Sequence, residues 1–516
     1  MSEFFQMPAK QSPYLRVNLN VGCLMDIPTG SPVKAINGQY LTNGGHNGSI
    51  IFVGPRNSYK SALADYVNQV AAFRAHHLSP GQKYDTENNT YIPGLELRLR
   101  RIVKPNEPDW FEGENPRWLV TEASLYKGDE WFKMAKDWML SKKKQGASFK
   151  VDTPLINKNG KAIKILLPTF VSIDSISMFI VEAVQELYDK TDLGDAKQNM
   201  VAMNSGRFKK NMIDQLPDLL VGTNTYFTGT VHYGQAFQLD PYAPQHKPSQ
   251  YSETGKKLKG VPENIMFLST CMWLIKNVNK LHFKTDKNVQ KYPLRDAGED
   301  NNPDDLNIVT MQQWRCKTGP SGYHLEIIVS QKYGILENLT HFHFLRQHGM
   351  YGLTGEITGT DNFKDVACVL LPEVKLSRTT VRSLLDENHR LSRAISICAD
   401  MLQMSQYWAE HLRAIDKRLL ELTPATLYEK VKQNGYSWDM ILDTRYWYSL
   451  DDTAHEQLEL STLDIMRMAL GTYHPFWLES DKKTIKKKYA KQMVNASETN
   501  SLIEDNSAKA KRDNAK

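Results

Sequence analysis

Ser49-Ile-Ile-Phe-Val-Gly54-Pro-Arg-Asn-Ser-Tyr-Lys60-Ser61-Ala-Leu-Ala-Asp-Tyr-Val-Asn-Gln-Val-Ala-Ala-Phe73 is the stretch on which the reading of this chain turns. Its first six residues are a short apolar run ending in glycine, the pattern of a strand buried on both faces. From Ser61 to Phe73 the apolar residues recur at helical spacing. Strand, loop and helix in that order are the setting of a phosphate-binding loop. There, backbone N–H groups and the helix N-terminus face the phosphates, a lysine reaches their outer oxygens and a hydroxyl ligates Mg²⁺. Gly54, Pro55, Arg56, Asn57, Ser58, Tyr59, Lys60 and Ser61 are therefore candidate ATP-binding residues, with Lys60 on the β/γ oxygens and Ser61 on the metal. The usual pattern has a second glycine where this chain has Tyr59. Alone, the stretch stays open to a second reading, a tight strand-to-helix turn with a surface lysine.

Working outward, Pro168 to Asp174 is a second buried strand, and further strands are expected over Asn224 to His232, Ile265 to Ile275 and Tyr323 to Ser330. Apolar strands separated by helical segments predict an α/β fold with a mainly parallel sheet. Asp174 closes its strand where a carboxylate could hold Mg²⁺ through water, the alternative being a cap on the next helix. Tyr84-Asp-Thr-Glu87 supplies a carboxylate 27 residues beyond Lys60, suited to orienting an attacking water. Glu122 is its rival. Two polar stretches, Asp192 to Lys210 and Tyr233 to Val261, interrupt the pattern and read as functional loops.

At this point the chain resembles the RecA-type recombinases, and in particular the strand-exchange recombinases of T-even bacteriophages. The resemblance rests on Ile27-Pro-Thr-Gly-Ser31, Asn43-Gly-Gly-His-Asn-Gly48, the loop with an aromatic residue before Lys60, Tyr84-Asp-Thr-Glu87 and Ile173-Asp-Ser-Ile176. It covers residues 26–350 in patches. It implies a RecA-like core in which Lys60 and Glu87 are catalytic, Asp174 holds Mg²⁺ and His232 is a switch sensing the γ-phosphate. It further implies that Lys317, in Arg315-Cys-Lys-Thr-Gly-Pro-Ser-Gly322, contacts ATP across a subunit interface. The two polar stretches then fall where the family binds DNA. Lys197, Arg207, Lys209 and Lys210 would serve in the first, and Lys247, Lys256, Lys257 and Lys259 in the second. Positive charge tracks phosphates without reading sequence. The activity implied is ATP-dependent filament formation on single-stranded DNA and strand exchange into duplex DNA, with single-strand-binding and mediator proteins as further partners. A ring-shaped helicase or motor on the same core, and a non-catalytic mediator with a decayed loop, are the alternatives.

The domain expectation is an arm over 1–40, the ATPase core over 41–350, a mostly helical region over 351–480 and a disordered basic tail over 481–516. The chain has 516 residues and a net charge of +6. Residues 481–516, with ten Lys or Arg against five Asp or Glu, carry +5 of it. The body is nearly neutral, so any DNA contact must come from local clusters or the tail. Five scattered cysteines without metal spacing give neither a disulfide framework nor a zinc site. The start lacks the pattern of a signal peptide, and Ile163 to Val184 is too interrupted by charge to span a membrane. Secreted, disulfide-rich and integral-membrane classes are excluded, and a cytoplasmic location is expected.

Overall fold

Strand β1 (Ser49–Gly54) alternates its side chains between two apolar layers. Ile50 and Phe52 join one buried cluster, whereas Ile51 and Val53 join another. A strand with apolar residues on both faces must lie inside a sheet covered on both sides, and β1 lies there. In the computed structural model, the described residues are 16–76, 78–86, 116–157, 159–189, 197–236, 247, 250–294, 302–355, 357–358, 361–450 and 459–489.

Around β1 the sheet is built from β2 (Gly81–Asp85), β3 (Trp118–Glu122), β4 (Thr169–Asp174), β5 (Thr225–Gln235), β6 (Lys256–Leu258), β7 (Cys271–Lys280), β8 (Leu306–Cys316), β9 (His324–Ser330) and β10 (Gly334–Ile335). Its order is β10-β9-β8-β7-β1-β5-β4-β2-β3, with β6 hydrogen-bonded to β5 outside that path. The six strands from β7 to β3 run parallel. β8, β9 and β10 add an antiparallel margin. The fold is thus mixed α/β with a mostly parallel central sheet.

Helix α1 (Lys60–Ala75) follows β1 and covers one face, where Leu63, Val67 and Val70 meet Ile50 and Phe52. The other face is covered by α2 (Gly128–Gln145) and α4 (Lys197–Thr223), through Trp131, Phe132, Met212, Ile213 and Leu216. Between them runs the short α3 (Glu182–Asp189). The first polar stretch is therefore helical from Lys197 onward. A four-residue helical turn also replaces the start of the strand expected from Ile265, and β7 begins only at Cys271.

Residues 16–30 are not an arm. They are buried almost throughout, and distant side chains hold their irregular backbone in place. Trp408 Nε1 donates to the carbonyls of Ile27 and Gly30 at 2.9 Å each, and Gln403 Nε2 donates to Leu24 O at 2.9 Å. Tyr66 Oη donates to Val21 O at 2.9 Å. The C-terminal region opens with a small antiparallel sheet over Leu353–Thr354, Val366–Cys368 and Leu371–Leu376, and turns helical from Val381. Its helix His389–Tyr407 shares one apolar cluster with α1 and β1. Nor does the tail begin at 481: Lys482 donates to Asn434 O at 3.0 Å, Lys486 to Phe476 O at 2.7 Å, and Tyr489 is buried. Residues 490–516 lie outside the described residues. No helix among the described residues is long and apolar enough to cross a membrane.

Candidate functional site

The carboxyl edge of a parallel sheet is where connecting loops gather, and Gly54, Asp174, His232 and Glu122 lie there. Register fixes their order. Gly54 of β1 pairs with His232 of β5, Ile173 of β4 with Gly229 of β5, Asp174 with Asp85 of β2, and Asp85 with Glu122 of β3. With about 4.8 Å between strands, Asp174 lies about 10 Å from β1 and Glu122 about 10 Å beyond Asp174 on the far side. Glu122 sits on the margin of this row, where it accepts from Ser124 Oγ at 3.4 Å. Glu87 lies outside the described residues. The chain reaches it from Thr86, whose N–H donates to Asp174 O at 2.8 Å and whose hydroxyl accepts from Ser175 N at 2.7 Å. The Asp174–Ser175 peptide bond is cis.

The loop keeps its turn without the second glycine. Tyr59 adopts φ 61° and ψ 20°, the left-handed conformation for which glycine is the default. Its hydroxyl accepts from Asn307 Nδ2 at 2.9 Å, and its ring packs on the core. Asn307 belongs to β8, next to Asp305, which accepts from Ser330 Oγ at 2.8 Å and from the fully buried Arg382 at 3.3 Å. Burial raises the phenol's pKa, so the hydroxyl stays protonated. Gly54 is needed for space, because a Cβ there would stand 2.8 Å from Ser58 Oγ. Lys60 is buried and turned back into the loop, donating to Pro55 O and, at 3.4 Å, to Ser58 Oγ. Arg56, Asn57 and Ser61 are exposed.

Asp174 accepts from Thr230 Oγ1 at 2.6 Å, and its other oxygen lies 3.6 Å from Lys83 Nζ. Lys83, on β2, is fully buried and also bonds both oxygens of Asp65 on α1, at 2.9 and 3.1 Å. Asp65 and Asp174 thus share the Lys83 ammonium. Sequence reading missed Lys83 and Asp65. The available signal was a lysine and two aspartates at positions whose periodicity marks them as buried, since buried charges require partners.

Hard oxygen donors suit Mg²⁺, which is usually held by one or two carboxylates together with substrate phosphates. Asp174 and the exposed hydroxyl of Ser61 fit that requirement. Among the described residues no cluster of three or more His, Cys, Asp or Glu forms a closed metal cage. Any such ion would therefore depend on the nucleotide for its remaining ligands.

Beyond Asp174, Ser177 gathers the neighbouring elements. Its hydroxyl accepts from His232 N at 2.9 Å and donates to Lys259 O at 2.7 Å. Its carbonyl accepts from Lys209 Nζ at 3.0 Å, and the same ammonium donates to Gly260 O at 2.7 Å. Lys209 is buried, and burial lowers its pKa to about 8. It is a cross-brace between α4 and the base of the β5–β6 hairpin, not a surface cation. Arg207 and Lys210 are exposed on α4. Lys197 begins that helix.

In the second cluster, β6 pairs Lys256 with Gln235 and Lys257 with Gly234. Lys256 is paired with Glu253, and Lys259 donates to Gln235 O. Lys257 and Lys247 are exposed. Lys317 follows β8 at the amino edge of the parallel strands, where its N–H donates to Thr270 O at 2.9 Å. The loop over residues 54–61 is at the opposite edge, so the structure does not bring Lys317 to it. His46 is buried and neutral, its Nε2 3.2 Å from Asn68 Oδ1 and 3.1 Å from Thr228 Oγ1. Burial lowers its pKa to about 3.

No protein-family model matches the chain, and no curated protein matches it.

Proposed function

We propose that the chain is a RecA-like, Mg²⁺- and ATP-dependent recombinase that assembles on single-stranded DNA and exchanges it into duplex DNA. The observation that carries the reading is the loop itself. Tyr59 takes the left-handed turn that the missing glycine would have supplied, and Lys60 then opens α1 directly after a strand whose last residue, Gly54, pairs with His232. This also weighs against a decayed, non-catalytic loop. Exposed Arg207, Lys210 and Lys257 flank the site on the elements that Ser177 ties to it. Sequence-independent binding to a DNA backbone requires that kind of distribution.

In this reading the helix N-terminus and Lys60 would hold the terminal phosphates, and Ser61 and Asp174 would hold Mg²⁺, whose charge would offset that developing on the transferred phosphoryl group. Glu87 orients the water. His232, one strand from Gly54, hydrogen-bonds through its backbone to Ser177 and so joins the nucleotide side to the hairpin that follows.

The test is ATP hydrolysis with and without single-stranded DNA across a salt series. Turnover should rise with DNA, and the stimulation should fall steeply with salt. Lys60→Ala should abolish it. Turnover by that variant at the wild-type rate would refute the loop assignment, and absence of turnover by the wild type with any DNA would refute the enzyme reading. Electron microscopy with single-stranded DNA and a non-hydrolysable nucleotide should show filaments; closed rings would instead make the chain a helicase or motor.

A further inference from the structure

Cys271 and Cys316 face each other across β7 and β8 in direct register. Thr270 O accepts from Lys317 N at 2.9 Å, while Cys316 N donates to Ser321 Oγ at 3.0 Å instead of to the neighbouring strand. Bonded and non-bonded pairs alternate along an antiparallel ladder, so the two cysteines occupy a non-hydrogen-bonded position with Cα atoms about 4.5 Å apart. That lies within the window of about 4.4–6.8 Å that a disulfide accepts.

The two thiols differ in a useful way. Cys271 is fully buried, and burial pushes its pKa well up. Cys316 is half-exposed, the one cysteine of the five that is not buried. Its sulfur lies 3.8 Å from Asn47 Nδ2 and 3.5 Å from Thr318 Oγ1. Hydrogen bonding from the Cys271 thiol, helped by Thr318 and Gly319, lowers its pKa to about 6. The other ionisable neighbour, Tyr323, is held protonated by burial. Reactive cysteines are thiolates in partly exposed, electropositive settings, and redox-active ones stand beside a resolving cysteine.

We propose that Cys316 is a hydroperoxide-reactive thiol and that Cys271 resolves it, giving a reversible cross-strand disulfide at the amino edge of the sheet. The Cys316 thiolate attacks one peroxide oxygen. The O–O bond breaks, the other oxygen leaves with a proton as water or alcohol, and a sulfenic acid remains. The Cys271 sulfur then attacks that sulfur: the S–O bond breaks, the S–S bond forms, and water leaves with the Cys271 proton. Both electrons gained by the peroxide come from the cysteine pair, and an added dithiol returns them. Cys271 pairs with Ile50, four residues before Gly54, which puts the bridge about 13 Å from the start of the phosphate loop. The pair is thus remote from the chain's own loop over residues 54–61.

The experiment treats the full chain with hydrogen peroxide and maps its peptides without reduction. Expected is one linked peptide pair joining Cys271 to Cys316, lighter by two hydrogen atoms and restored by dithiothreitol. Cys368 and Cys398, whose sulfurs are 3.8 Å apart but fully buried, should stay reduced and serve as the internal control. In Cys271→Ala, and independently in Cys271→Ser in case one fails to fold, Cys316 should stop at a sulfenic acid trapped by a cyclic 1,3-dione. In the wild type, alkylation of Cys316 should titrate far below the ordinary thiol midpoint of about 8.5. Oxidation of the Cys368–Cys398 pair first, an ordinary midpoint for Cys316, or no sulfenic acid in either Cys271 variant would overturn the proposal.

Discussion

Tyr59 is the residue whose substitution tests the phosphate loop most sharply, because its side chain and its backbone pull in opposite directions. A non-glycine residue in the left-handed region costs about 1–2 kcal/mol. Against this stand the bond from Asn307 Nδ2, a net of about 1 kcal/mol, and the packing of the ring. Tyr59→Phe keeps the ring and the strained turn but removes the bond. The loop should then leave its binding conformation more often, and Mg·ATP affinity should fall by up to about fivefold, the equivalent of 1 kcal/mol. Tyr59→Gly removes strain and anchor together and should stay within about threefold of the wild type. Tyr59→Val, β-branched where φ is positive, should be the weakest binder of the three. Calorimetric titration of Mg·ATP measures all of them, and Asn307→Ala closes a double-mutant cycle in which the pair should be no worse than Tyr59→Phe with the cost of Asn307's other bonds added. Unchanged affinity in Tyr59→Phe, or tighter binding by Tyr59→Val than by Tyr59→Gly, would refute the account of the turn.

Four further outcomes follow from the geometry. Lys209→Met should lower stability by about 2 kcal/mol in urea titrations, because it strips the Ser177 and Gly260 carbonyls of a buried donor. Arg207→Ala and Lys210→Ala should leave stability within about 0.5 kcal/mol but each reduce the salt slope of single-stranded DNA binding by about one. His46 and His343 both have pKa values lowered by burial to about 3, so each favours the folded state fully above its unfolded value and loses that contribution as pH falls. The melting temperature should therefore drop from about pH 6.5 downward, and His46→Gln should flatten the drop. Glu459 behaves in the opposite sense: burial raises its pKa to about 8, so its contribution is complete below the unfolded value of about 4.3 and is lost as pH rises from there to about 8. In urea titrations Glu459→Gln should stabilise the chain progressively more between about pH 5 and pH 8, with no further gain at about pH 9.

The carboxyl edge of the parallel strands was legible because each of its elements carries a local signal. Residues Ser49–Gly54 are a strand as read, the next helix differs from its expected span by a residue or two, and Asp174 ends its strand. Helix α4 was not legible. Its opening turns, Lys197-Gln-Asn-Met-Val-Ala-Met-Asn-Ser-Gly-Arg, are polar enough to read as a loop, and the residues that hold it, Met212 to Leu220, come late. Lys209 therefore looked like a DNA ligand until the carbonyls beneath it were seen. Residues 16–30 escaped for a different reason. They have no periodicity because they form no regular element, and burial there rests on hydrogen bonds from residues hundreds of positions away. Lys83 marks a third kind of miss: a charge reads as surface until a partner on another element, here Asp65, explains its burial.

The interlock of the chain's beginning with its end sets an order on biosynthesis. Asn18 O accepts from the Tyr448 hydroxyl across 430 positions, and Ile27 O from Trp408 across 381. At about 5–20 residues per second, a ribosome takes roughly 20–90 s to make the second partner after the first. For that interval Val17, Leu19, Val21 and Ile27 have no final cover, although the strands between them have already left the exit tunnel. Folding of this chain can begin during synthesis but cannot close around residues 17–30 until Tyr448 has been made.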